Sequence, residues 1–195
     1  MMSDNIINLK GIETIYDFSK RKKKGIPPVE KWNPPFCGDI DMHILRNGKW
    51  TYMGSEIKRP AMIKLFSNII RLDDDGHYYL VTPVEKVRIK VDDVPFVAVS
   101  MNKIKDKGVN CLSFTTNVQD EVTLSKENPI EIVINDNEEP SPYITIRKNL
   151  KALISRSVYY DLINMAEEEI IDDKKFLVIK SNNTLFKLYE INNSA

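Results

Sequence analysis

Residues 57–81 and 154–179 carry one pattern twice, and a duplicated pattern constrains a fold more than any single motif. Ile57, Arg59 and Leu65 recur as Ile154, Arg156 and Leu162, each 97 positions later, and the apolar positions Met62, Phe66 and Ile69 recur as Tyr159, Ile163 and Ala166. An apolar strand follows each copy, Tyr78 to Val81 and then Phe176 to Ile179, now 98 positions apart because the connecting loops differ by one residue. Apolar residues at spacings of three and four followed by a short apolar run make a helix–strand unit. The chain is therefore expected to be an α+β protein of two related halves, each an antiparallel sheet packed against one helix, with a further helix at the N-terminus. Related halves meet along a seam, seams favour concave sites, and the interface between the repeats is the expected binding site.

Composition narrows the partners. A chain of 195 residues can bury roughly 70% of its unfolded surface, and 28 Lys and Arg against 28 Asp and Glu leave a formal net charge of +0. No global field draws such a molecule to nucleic acid or anionic lipid, so either would need a local patch. There is no apolar run approaching the ~18 residues of a membrane span, and no apolar core follows the polar start Met1 to Lys10. With Cys37 and Cys111 as the only cysteines, the expectation is a cytoplasmic protein with reduced thiols.

Leu9, Ile12 and Tyr16, with Asn8 as cap, predict the N-terminal helix, and Lys20 to Lys24 suit its C-terminal end. Gly25 stops it. Pro27, Pro28, Pro34 and Pro35 hold residues 26–38 extended, a strap with Trp32 and Phe36 as anchors. Ile40, Met42 and Ile44 then alternate with Asp39, Asp41 and His43 as a half-buried strand does. Asn47-Gly48 offers two residues tolerant of positive φ for a hairpin turn into Lys49–Met53.

The same alternation produces the one cluster resembling a reactive site. If the strand runs unbroken, Cys37, Asp39, Asp41 and His43 share a face, within about 20 Å at ~3.3 Å per residue. A metal-dependent or thiol hydrolase could use such a set, yet no C-x-x-C, H-x-x-x-H or H-E-x-x-H spacing accompanies it. The structural alternative is a polar strand face whose carboxylates pair with basic residues, Arg59 and Arg156 being the expected partners. Phosphate-cradling glycine loops and the G-x-S-x-G elbow are missing, and glycine numbers only 7. No cofactor and no metal is expected.

Pro60 opens the first predicted helix, whose stripe Met62, Leu65, Phe66, Ile69, Ile70 is core. Asp73-Asp74-Asp75-Gly76 lacks the ligand spacing of a calcium loop and reads as a turn. Residues 82–146 read as strands in an antiparallel meander. Within them Lys86, Arg88 and Lys90 form the basic stripe that nucleic-acid binding, the least favoured reading, would use. A second helix is expected over Ser157–Glu169 with Tyr159, Leu162, Ile163 and Ala166 inward, followed by strands Lys175–Lys180 and Thr184–Glu190. The expected division is 1–38 for helix and strap, 39–83 for the first repeat and 84–195 for the larger second.

Pro27-Pro28-Val29, the run Trp32-Asn33-Pro34-Pro35-Phe36-Cys37-Gly38-Asp39-Ile40-Asp41-Met42, Arg59-Pro60, Leu80 to Val87, Val91 to Phe96 and Thr116-Asn117-Val118 together resemble the bacterial domain-of-unknown-function family numbered twelve eighty-five. The resemblance spans about 27 to 190. It implies a duplicated α+β architecture, a C-terminal part superficially like the pleckstrin-homology fold, a site at the interface of the repeats and a link to signalling. It supplies no substrate, cofactor or catalytic residue. The chain departs from the family pattern at Gln119, where relatives favour glycine, and at His43, where they favour a basic residue. The resulting expectation is a non-catalytic protein that binds a small ligand or a protein partner, with Trp32, Asn33, Phe36, Asp39, Asp41, Glu85, Lys86 and Asn117 lining the site.

Overall fold

A computed structural model describes residues 25–134 and 139–191. The N-terminal helix and the Lys20–Lys24 run lie outside the described residues. The protein has a two-domain, duplicated α+β architecture, with compact units Met1–Asp93 and Val94–Ala195.

In the first unit the strap is not extended throughout: Val29–Lys31 forms a 3-10 turn, with the Trp32 N–H donating to Val29 O at 3.2 Å. Strands β1 (Phe36–Ile44), β2 (Trp50–Tyr52) and β3 (Ser55–Glu56) precede helix α1 (Pro60–Ser67), and β4 (Ile70–Leu72), β5 (Tyr78–Val81) and β6 (Lys86–Val91) follow it. They make one six-stranded sheet in the order β3-β2-β1-β6-β5-β4. Every pairing is antiparallel except β1 beside β6, because α1 carries the chain across and lets the second meander join the first side by side. Pro60 at the first helical position needs no N–H partner, and Arg59 before it is extended. Phe66 brings the helix onto the sheet, its ring stacked on Trp50 at 6.4 Å. Met42, Ile44, Trp50, Phe66, Ile69 and Leu80 are wholly buried there.

Two hairpins in this unit use the same device. Gly48 donates to Leu45 O at 2.8 Å and Gly76 to Asp73 O at 3.0 Å, each glycine at positive φ (82° and 78°). Only the glycine takes positive φ; Asn47 instead accepts from the Lys49 N–H through its side chain at 3.0 Å.

The sequence division at 83/84 is corrected by the sheet. β6 pairs on both sides within the first unit, so the boundary falls after Asp93; apolar alternation identifies a strand but not the sheet that receives it.

The second unit runs β7 (Phe96–Asp106), β8 (Val109–Thr116), β9 (Glu121–Thr123), β10 (Ile130–Ile134), β11 (Pro140–Arg147), β12 (Leu150–Ile154), α2 (Arg156–Asn164), β13 (Glu167–Ile171), β14 (Lys174–Ser181) and β15 (Thr184–Glu190). Its six-stranded sheet has the order β10-β11-β12-β7-β8-β9, with β12 parallel to β7; the expected meander is thus interrupted by one parallel pairing. The last three strands form a separate antiparallel sheet, β13-β14-β15. Buried Ser181 ties β14 to the larger sheet, accepting from Leu112 N at 2.9 Å and donating to Leu124 O at 2.8 Å.

Helix α2 is shorter than expected. It ends at Asn164, and the acidic run Glu167–Glu169 lies in β13 instead, beside Lys175 and Lys180 of β14. Val158 and Leu162 are its buried residues, whereas Tyr159, Ile163 and Ala166 are only half-buried. The two helices therefore correspond best at a separation of 96: Arg156 follows Pro60 as first helical residue, and Leu162 follows Phe66 as buried anchor.

A candidate recognition face on the first unit

The face of the first sheet that carries Tyr79 holds a transverse row of functional groups. Arg71, Tyr79, Arg88 and Asp39 are direct cross-strand partners on β4, β5, β6 and β1, and partners at one register point to the same face. At one end of the row Arg71 is a clamp. Its Nη1 donates to the carbonyls of Val29 (3.0 Å) and Trp32 (2.8 Å), and its Nε and Nη2 fork onto Asp73. Lys86 Nζ reaches the same carboxylate at 2.9 Å and lies 4.3 Å from the centre of the Tyr79 ring. Phe36 meets that ring edge-on at 6.0 Å, so the strap is fastened at both its turn and its end.

The charges along the row are compensated in pairs. Arg71 and Asp73 are 13% and 18% exposed. Burial pushes the Asp73 carboxyl upward, but hydrogen bonds from Arg71 and Lys86 outweigh it and leave Asp73 below its ordinary value; the same hydrogen bond raises Arg71. Tyr79 donates to Asp75 at 2.7 Å, which lowers Asp75 and raises the phenol. Arg88 forks onto Asp39 at 2.8 and 2.6 Å and holds that carboxyl low. This last pair is 39% and 59% exposed, so water competes with it and it opens at little cost.

Beside the Arg88–Asp39 fork lies a cleft of about 490 Å³, walled by Asp39 and Ile40 of β1, Gly76 to Tyr78, Arg88 to Val91 of β6 and Asp93. Volumes of roughly 300–1,000 Å³ are usual for small-ligand sites. Both carboxylates of its wall have basic partners, Asp39 with Arg88 and Asp93 with Arg46 at 3.5 Å. His77 acts electrostatically on Asp39, and exposed Lys90 adds a further cation to the wall.

Seven of the eight residues expected to line a site lie in the first unit. Trp32, Phe36 and Lys86 belong to the strap-and-clamp assembly, and Asp39 to the cleft. Asn33 and Asp41 are exposed, Asp41 accepting through its carbonyl from Met53 N at 2.8 Å. Glu85 is buried in the turn after β5, where its N–H donates to Thr82 Oγ1 at 3.1 Å, so it lines no open surface. Asn117, in the second unit, brackets Val97, accepting from Val97 N at 3.0 Å through its side chain and donating to Val97 O at 2.8 Å from its backbone. Arg71, Tyr79, Arg88 and His77 were not expected as lining residues; the alternation of β6 was legible, but Arg71 followed the expected helix stripe through Ile70, where the helix in fact ends at Ser67 and Ile70–Leu72 is a strand, and the register that aligns the row was not legible.

The expected hydrolase set is not assembled. Register shifts interrupt β1 between Phe36 and Asp39 and again between Asp39 and His43, so the four residues do not lie on one unbroken strand. Asp39 is held by Arg88 rather than by Arg59 or Arg156, both of which are exposed at helix starts. His43 hydrogen-bonds Asp92 at 2.6 Å, and the Cys37 thiol donates to Pro35 O at 3.6 Å. Among the described residues no three His, Cys, Asp or Glu side chains group to hold a metal ion. The basic stripe is likewise engaged, Lys86 with Asp73 and Arg88 with Asp39, leaving Lys90 for a phosphate backbone. No described helix is long and apolar enough to cross a membrane.

Residues 27–94 match the family model described as domain of unknown function (DUF1285), N-terminal domain, and residues 95–188 match its C-terminal counterpart. The chain belongs to the DUF1285 family. The two DUF1285 models meet one residue from the boundary between the compact units. A DUF1285 protein of known structure from Silicibacter pomeroyi is 42% identical, with 91% of this chain and 95% of that chain covered and a TM-score of 0.77. Another, from Shewanella baltica, is 28% identical over 64% of this chain and 91% of that chain, with a TM-score of 0.52. No curated protein matches the chain.

Proposed function

We propose that this DUF1285 protein is a non-catalytic recognition protein whose first unit binds an anionic ligand, a carboxylate or phosphate group, in the cleft beside Arg88. The observation that carries the reading is the exposed Asp39–Arg88 fork on the cleft wall. Asp39 occupies the two donors that a ligand anion would take, and an exposed pair can exchange one carboxylate for another. With Asp39 and Asp93 already compensated, Lys90 leaves the wall with an excess of positive charge. The strap, clamped by Arg71 and abutting Tyr79 through Phe36, stiffens the same face. A regulatory or signalling role would follow from ligand binding rather than from turnover.

Calorimetric titration with citrate and with inorganic phosphate tests the reading. Saturable binding that falls at least about tenfold in Arg88→Ala, a loss of roughly 1.4 kcal/mol, is the expected result. Binding that survives Arg88→Ala, or no heat with either anion, overturns it.

A further inference from the structure

The second unit carries an open backbone edge that the proposed anion site does not use. β12 pairs with β7 only from Phe96 to Ala98; among the described residues the last backbone hydrogen bond on that edge is Ser155 N to Ala98 O at 3.0 Å, after which the chain turns into α2, which packs against β7. β7 continues to Asp106 with β8 on its other side. The direction of its remaining backbone groups follows from the ladder. The Leu112 N–H donates to Ser181 Oγ and the Leu112 carbonyl accepts from Leu124 N, while the Asn110 carbonyl accepts from Asn182 N, so both residues face away from β7. In an antiparallel pair, partners of such residues also face away from each other. Lys103 pairs with Leu112, Lys105 with Asn110, and Met101, two residues earlier, with Phe114. The N–H and C=O groups of Met101, Lys103 and Lys105 therefore point off the free edge of β7.

The side chains along that edge set the chemistry of an occupant. Lys103, Lys105 and Lys107 are exposed, Asp106 is the only acid among them, and Ile104 is exposed. A groove of about 840 Å³ adjoins the arm at Lys103 and Ile104, reaching Met165 at the end of α2 and Glu167 and Leu185 of the smaller sheet. Lysines on an edge discourage a second copy of the same edge, since antiparallel pairing would set lysines against lysines. They favour an acidic strand instead. We propose that the edge Met101–Lys105 receives an extended acidic segment of a partner protein by strand addition, with backbone hydrogen bonds to Met101, Lys103 and Lys105, acidic side chains against the lysines and an apolar side chain in the adjoining groove.

The test is amide exchange followed by NMR on the full chain, with a short peptide alternating glutamate and valine as probe and its lysine–valine counterpart as control. Exchange at the Met101, Lys103 and Lys105 amides should slow by about tenfold or more with the acidic peptide only. The Lys103→Glu/Lys105→Glu double variant should lose that protection while its far-ultraviolet spectrum stays that of the parent. No protection, equal protection by the lysine peptide, or protection that rises with protein concentration alone would each overturn the proposal.

Discussion

Replacing Arg71 by alanine should loosen the first unit selectively. The substitution removes two charge-assisted hydrogen bonds to strap carbonyls and the fork on Asp73. Breaking a wholly buried ion pair costs about 3–5 kcal/mol, and hydrogen bonds to a charged group contribute about 1.5–3 kcal/mol each before solvent competes. Here the partners are 13% and 18% exposed and Asp73 keeps Lys86 at 2.9 Å, so a loss of about 2–3 kcal/mol is expected. With a urea dependence of about 1–2 kcal/mol/M for a unit of this size, the midpoint should fall on the order of 1–3 M. Both tryptophans, Trp32 and Trp50, belong to the first unit, so fluorescence reports its unfolding alone. Arg71→Lys, which keeps the charge but not the planar fork, should recover less than half of the loss. A midpoint for Arg71→Ala within about 0.3 M of the parent would refute the clamp.

Two further outcomes follow from the same structure. Asp73 has a depressed pKa in the fold, so its contribution is complete above the unfolded value near 4 and is lost as pH falls through the lower folded value; acid titration of stability should be shallower in Asp73→Asn than in the parent below about pH 4. Gln119 sits at φ 61° with an exposed side chain, a conformation costing a non-glycine residue about 1–2 kcal/mol. Gln119→Gly should raise the melting temperature of the second unit by a few degrees, glycine's unfolded-state entropy cancelling part of the gain, and calorimetry would detect it.

The duplicated architecture was legible because helix periodicity and strand length survive in each copy even where residue identities do not. Its phase was not: Met62 and Tyr159 correspond by residue count, yet burial aligns Phe66 with Leu162, since an amphipathic stripe tolerates a shift of one residue more readily than a strand does. β13 was missed because its turn, Asp172-Asp173, adopts positive φ without a glycine (53° and 61°), and three glutamates read as a solvated helix end. Asp39 was legible as a polar strand residue, but its partner Arg88 was hidden behind a parallel pairing of strands 49 positions apart. Local periodicity carries no information about such a pairing. Trp32 and Phe36 were expected to anchor the strap, yet Val29 is its buried apolar residue and Phe36 is 54% exposed, while Arg71, which fastens the strap, followed what read as a helix stripe.

The most direct test of recognition beside Arg88 is to free its fork. In Asp39→Asn the guanidinium loses its internal anion, and a citrate titration followed through nitrogen-15 signals of the arginine side chains should show binding about tenfold tighter than in the parent, with the Arg88 resonance moving most. Weaker binding in Asp39→Asn, or a response spread evenly over the other arginines, would contradict the account.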